Sequence, residues 1–158
     1  MRRDVLGIYL NDHLAGSTAG LRLARHLAEH HRSSPYGGEL SRVADEITED
    51  RQALLDVMNA LDIPVRRHKV YAGRLAEKAR LLKLNGRVTR RSGLSTMIEL
   101  ETLRLGIEGK SLLWRTLLSL TPHRDLDEAQ LKGLLDRARE QADTVEAVRR
   151  HAAVAAFR

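Results

Sequence analysis

Cysteine is absent from the 158 residues, which excludes disulfide staples, thiolate nucleophiles and zinc sites built on Cys, and fits a reducing compartment. Aromatic side chains are scarce: one Trp, three Tyr and one Phe. That leaves no stacking platform for unpaired bases and disfavours a strand-rich fold. Only three prolines interrupt a chain dominated by Leu, Ala, Arg and Glu, a balance that favours helices. No uncharged apolar run approaches the roughly 18 residues of a membrane span. Asn11, Asp12 and His13 stand where a signal-peptide core would need apolar residues. The expectation is a soluble, cytoplasmic protein with no membrane partner.

With 42% hydrophobic and 30% charged residues, the chain can bury a core, and a single domain over 1–158 is expected. Breakers at Ser33 to Gly38, Asp62 to Pro64, Asn85 to Gly93 and Thr121 to Asp125 cut it into five helices, near 4–32, 38–61, 64–84, 94–120 and 125–150. Asn85-Gly86 reads as a helix stop, and Asp125 to Glu128 as a capping box. The fold class is all-α: an up-down antiparallel bundle of four long helices plus a fifth, C-terminal helix. Leu6, Leu10, Leu14, Leu21, Ala24 and Ala28 form the apolar stripe of the first helix. Leu40, Val43, Ile47, Leu54, Met58 and Leu61 form that of the second. The helix over 94–120 is apolar on two sides, with Leu94, Ile98, Leu105 and Leu112 opposite Leu100, Leu103, Ile107, Trp114 and Leu118. It is expected to be enclosed centrally, or to turn its second side to another subunit.

Charge is unevenly spread. Residues 33–62 hold seven acidic and two basic side chains, and residues 63–92 hold ten basic and one acidic. Part of this contrast is internal complementarity between neighbouring helices. The rest is a basic surface of Arg66, Arg67, Arg74, Arg80, Arg87, Arg90 and Arg91 that suits an acidic protein or a phosphate backbone. No helix-turn-helix or zinc-finger spacing accompanies it.

Polar residues on apolar faces carry the site reading. His13 falls in the stripe of the first helix, Asp50 and Arg51 interrupt that of the second, and Glu101 and Glu108 border that of the fourth. In an up-down-up-down bundle His13, Asp50 and Glu108 fall in one layer, where imidazole and carboxylates suit a divalent metal ion. The alternative is a buried hydrogen-bonded network in which Arg51 pairs with Asp50 or Glu108 and His13 completes it. His26 and His30 are spaced to share an ion but lack the Glu of an H-E-x-x-H motif, and read as a solvent-facing pair. Lys110-Ser111 lacks the glycine spacing of a phosphate loop, and Ser17, Ser95 and Ser111 have no base that sequence identifies, so no catalytic residue is assigned.

Tyr9-Leu10-Asn11-Asp12-His13, Glu46 to Arg51 and Glu99-Leu100-Glu101 resemble small bacterial helical proteins of ferritin-like type over roughly residues 4–120. Ferritin-like di-iron bundles carry Glu-x-x-His on two helices and a long crossover between the second and third. This sequence has no such pair of motifs, and Asp62-Ile63-Pro64 reads as a tight joint. The resemblance implies a bundle stripped of oxidase chemistry. The function expected is that of a non-enzymatic bundle, a homo-oligomer acting through partner contact, without cofactor. The competing class is a metal-binding bundle of redox or storage type.

Overall fold

The computed structural model describes residues 3–66, 93–123 and 126–158. Among them are four long helices: α1 (Arg3–His30), α2 (Gly37–Ala60), α3 (Gly93–Leu120) and α4 (Glu128–Phe157), with a 3-10 turn at Thr121–His123 between the last two. The described residues contain no strand. The helix expected over 64–84 and the cationic residues from Arg67 to Arg91 lie outside the described residues. The C-terminal helix packs along α3 and is a full member of the bundle.

Side-chain pairs fix the helix directions. Tyr9 reaches Thr116 and His26 reaches Glu99, so α1 and α3 run antiparallel. Arg42 meets Thr144 and Glu49 meets Arg137, so α2 and α4 do too. The helices joined by short connections, α1 to α2 and α3 to α4, pack as antiparallel hairpins. The four described helices therefore run up, down, down and up; the up-down-up-down order turns on the direction of the helix expected over 64–84, which lies outside the described residues. α2 ends beside the start of α1 and α3 begins near the other end of the bundle, and the joint read at Asp62-Ile63-Pro64 leads into residues outside the described ones.

That end of α2 has a specific stop. Asp62 adopts a left-handed backbone (φ 51°), the Asp62 N–H donates to the Asn59 carbonyl, and the Ile63 N–H reaches back to the Met58 carbonyl. This is a Schellman turn, and Ile63 and Met58, the residues at its two ends, are both buried. Arg3 holds both the Leu61 carbonyl and the Asp62 carboxylate. Just beyond, buried Asn11 accepts from the Arg66 N–H (2.7 Å) and donates to the carbonyls of Pro64 and Gly7. At the other turn, a Cβ on Gly37 would lie 2.4 Å from the Arg32 carbonyl oxygen, so only glycine fits. The capping residue of α4 is Asp127, whose carboxylate accepts from the Gln130 N–H, two residues after the Asp125 at which the capping box was expected to begin.

The core is continuous. Leu6, Leu10, Leu14 and Ala24 of α1 meet Leu40, Val43, Ile47, Leu54 and Met58 of α2 and Leu100, Leu103, Ile107, Trp114 and Leu117 of α3, as the periodicity indicated. Leu21, Ala28 and Leu118 pack at its margin. The second apolar side of α3 is not enclosed: Leu105 is 72% and Leu112 51% exposed, because α1 and α4 flank this helix and leave its outer face to solvent.

Candidate functional site: a buried ionic cluster across three helices

Three helices carry heptad-spaced core stripes, each broken by one polar residue. On α2 the series Leu40, Val43, Ile47, Asp50, Leu54, Val57 keeps alternating steps of three and four. On α3 it is Leu100, Leu103, Ile107, Lys110, Trp114, Leu117, and on α4 Leu134, Ala138, Gln141, Val145, Val148. The antiparallel registers bring Asp50, Lys110 and Gln141 together.

Asp50 is 2% exposed and its carboxylate is saturated. Its Oδ1 accepts from Arg137 Nε (2.8 Å) and Nη2, and its Oδ2 from Lys110 Nζ and Gln141 Nε2 (3.1 Å). Lys110 also donates to Gln141 Oε1, while Gln141 Nε2 donates to Glu46 Oε2 at 3.0 Å. At the rim Arg137 Nη1 donates to Glu49 (2.7 Å) and Arg42 to Glu46 (2.8 Å). Three carboxylates thus face three cations. Burial pushes the Lys110 ammonium below the ordinary lysine value, and the Asp50 charge and hydrogen bond oppose that shift. Burial also works against the Arg137 guanidinium, but Asp50 and then Glu49 outweigh it and hold this group more firmly charged than usual. α1 adds no charge to the cluster; its corresponding heptad positions are Ser17 and Gly20.

The layer expected from sequence is only partly assembled. Asp50 is buried in an ionic cluster, but with Lys110 and Arg137 rather than with His13 and Glu108. His13 lies half-buried with its ring edge-on to Tyr9 (centroids 4.6 Å apart). Its burial holds the imidazole below the ordinary histidine range against the pull of Asp12. Glu108 is exposed, because it sits on the outer side of α3. Arg51 pairs with neither carboxylate: its Nε donates to Thr18 Oγ1 at 3.2 Å. Among the described residues no group of three or more His, Asp or Glu gathers closely enough to hold a metal ion. His26 and His30 stack in parallel at 6.1 Å on the exposed side of α1, where His26 approaches Glu99 at 3.7 Å. Sequence reasoning missed Lys110, Arg137 and Gln141; the unbroken heptad running through Lys110 and Gln141 was the signal.

A second ionic group lies farther along α3 and α4. Glu146 accepts from Arg149 and Arg150 and approaches Arg104 at 3.9 Å. Hydrogen bonds from Arg149 first and Arg150 second lower its carboxyl from 4.5 to about 2. A depressed carboxyl supports the fold above its ordinary range and loses that contribution as pH falls through about 2. An NMR titration should find the Glu146 midpoint near there, returning toward the ordinary range in the Arg149→Ala, Arg150→Ala double variant.

Two open clefts, of about 590 and 470 Å³, lie on the α1 and α2 side, and no residue of the Asp50 cluster lines either. No helix among the described residues is long and apolar enough to cross a membrane. No family model, curated protein or solved structure matches the chain.

Proposed function

We propose that the chain is a non-enzymatic helical bundle that acts through contact with a partner or with itself, its ionic cluster fixing how the helices pair. The observation that carries this reading is the saturation of Asp50: every acceptor position that could receive a ligand or proton is filled by Lys110, Arg137 or Gln141. A polar residue at a core heptad position is a known way to specify register and association state at some cost in stability. The outer stripe of α3 supplies a contact surface. Light scattering and chemical cross-linking at increasing protein concentration test association. Cross-linked species that appear with concentration and vanish with Leu105→Asp are the expected result, and a particle that neither self-associates nor captures any protein from its native extract overturns the reading.

One second reading, a ferritin-like metal-binding bundle, is favoured by the packing of α1 with α2 and of α3 with α4 as two antiparallel hairpins, the building blocks of such folds. Lys110 and Arg137 occupy the positions around Asp50 where that reading needs a cation. Metal analysis of protein purified without a metal-affinity tag separates the two: stoichiometric iron, manganese or zinc, lost on Asp50→Asn, supports the second.

A further inference from the structure

We propose that the cleft between α1, α2 and the segment that follows α2 binds an aliphatic monocarboxylate, with Arg51 holding its carboxylate group. This site is separate from the Asp50 cluster and goes beyond the contact reading above. Arg51 interrupts the apolar stripe of α2, yet neither Asp50 nor Glu108 answers its charge. Its half-buried side chain makes one hydrogen bond, from Nε to Thr18 Oγ1 at 3.2 Å, and no ion pair among the described residues. The other half-buried arginines among them, Arg104, Arg137 and Arg149, all have a carboxylate partner. An arginine drawn partly out of water without a counter-charge is costly unless something else meets it. The Thr18 hydroxyl donates to the Leu14 carbonyl and accepts from Arg51, which holds the guanidinium by one edge and leaves its Nη groups as donors.

The cleft that Arg51 lines supplies the rest of a ligand site. Its volume of about 470 Å³ falls within the range usual for small-molecule sites, roughly 300–1,000 Å³. Leu14, Ala15, Leu55 and Val65 give it apolar walls, Arg66 joins Arg51 as a second cation, and no acidic residue is among the described residues that line it. Arg66 likewise makes no ion pair among the described residues. The wall that carries Val65 and Arg66 belongs to no helix and is fixed by Asn11, whose buried amide accepts from the Arg66 N–H and donates to the Pro64 carbonyl. The neighbouring cleft differs: it sets Arg25 and Arg32 among Glu29 and Asp45, so its cations face acids of its own. Two guanidiniums without acids select an anion, and the apolar walls select one that carries hydrocarbon. A guanidinium is weakly hydrated and forks onto a planar carboxylate through two parallel N–H groups, whereas free phosphate would leave the walls unused.

Two-dimensional NMR titration of the full chain with octanoate, butyrate and inorganic phosphate gives the test, and circular dichroism confirms that each variant keeps its helices. Octanoate is expected to bind with a Kd of about 1 mM or tighter and to shift the amides around Asn11, Thr18 and Leu55. Butyrate should bind at least about tenfold more weakly, because less hydrocarbon reaches the walls. Arg51→Gln should weaken octanoate by at least about tenfold, and Arg51→Lys by less, since the charge stays while the fork is lost. Ala15→Phe, which fills the cleft without touching a charge, should weaken it as well, and Arg25→Gln, on the neighbouring cleft, should leave it unchanged. Octanoate binding that is indifferent to Arg51→Gln or to Ala15→Phe, or that shifts amides elsewhere instead, overturns the site. Phosphate that binds as tightly as octanoate overturns the ligand class, and the absence of any binding overturns the proposal outright. None of these outcomes touches self-association, so the contact reading stands or falls by its own experiment.

Discussion

Asp50→Ala is expected to destabilise the fold by about 3–5 kcal/mol, read from urea or thermal unfolding at neutral pH. The removed carboxylate accepts from Lys110, Arg137 and Gln141 and is itself almost inaccessible to water. Without it the Lys110 ammonium, whose side chain is 14% exposed, faces the Arg137 guanidinium with no intervening negative charge. Neither cation can swing far, since each keeps a second partner: Lys110 the buried Gln141, and Arg137 the Glu49 carboxylate at the rim. The penalty is then that of an uncompensated buried charge, larger than the loss of any single hydrogen bond. An Asp50→Ala variant within about 1 kcal/mol of wild type would show that the cluster is wet and weak, as exposed ion pairs are.

The second large effect has the opposite sign. Replacing the cluster together, with Asp50→Leu, Lys110→Leu and Arg137→Met, is expected to match wild-type stability or exceed it by up to ~4 kcal/mol. Desolvation of three charges disappears along with their attraction, and leucines complete heptads already built from Leu, Ile, Val and Trp. What the triple variant should lose is uniqueness of pairing. Broadened amide spectra, or a mixture of association states by ultracentrifugation, are the expected signs. A triple variant as weak as Asp50→Ala would instead make the cluster a net source of stability, and its value as a specifier of register would fall.

Much of the bundle was legible because its signals are local. The core stripes of α1 and α2 follow from periodicity alone, and the stops at Ser33 to Gly38 and near Asp62 follow from turn chemistry. The anchoring of the joint was not legible: at Asp62-Ile63-Pro64 Arg3 holds Asp62, and Asn11 holds Pro64 and Arg66, contacts more than fifty residues apart in sequence. The site was half legible for a related reason. Asp50 stands out as an acid in an apolar stripe, but its partners are set by which helix faces α2, and the antiparallel α2 and α4 pair supplies Arg137 and Gln141 where counting from helix ends pointed to His13 and Glu108. The two-sided apolar pattern of α3 likewise says that two faces are greasy, but not that α1 and α4 would cover only one.

The pairing of α1 with α2 and of α3 with α4 also bears on the path to the native state. Each hairpin closes through a short loop and forms contacts of low sequence separation, whereas joining α2 to α3 and α4 must wait for segments sixty to ninety residues apart to meet. The Asp50 cluster spans that late seam. Its desolvation falls after the two hairpins have collapsed, so its loss should leave the refolding rate nearly unchanged and appear instead as faster escape from the folded basin.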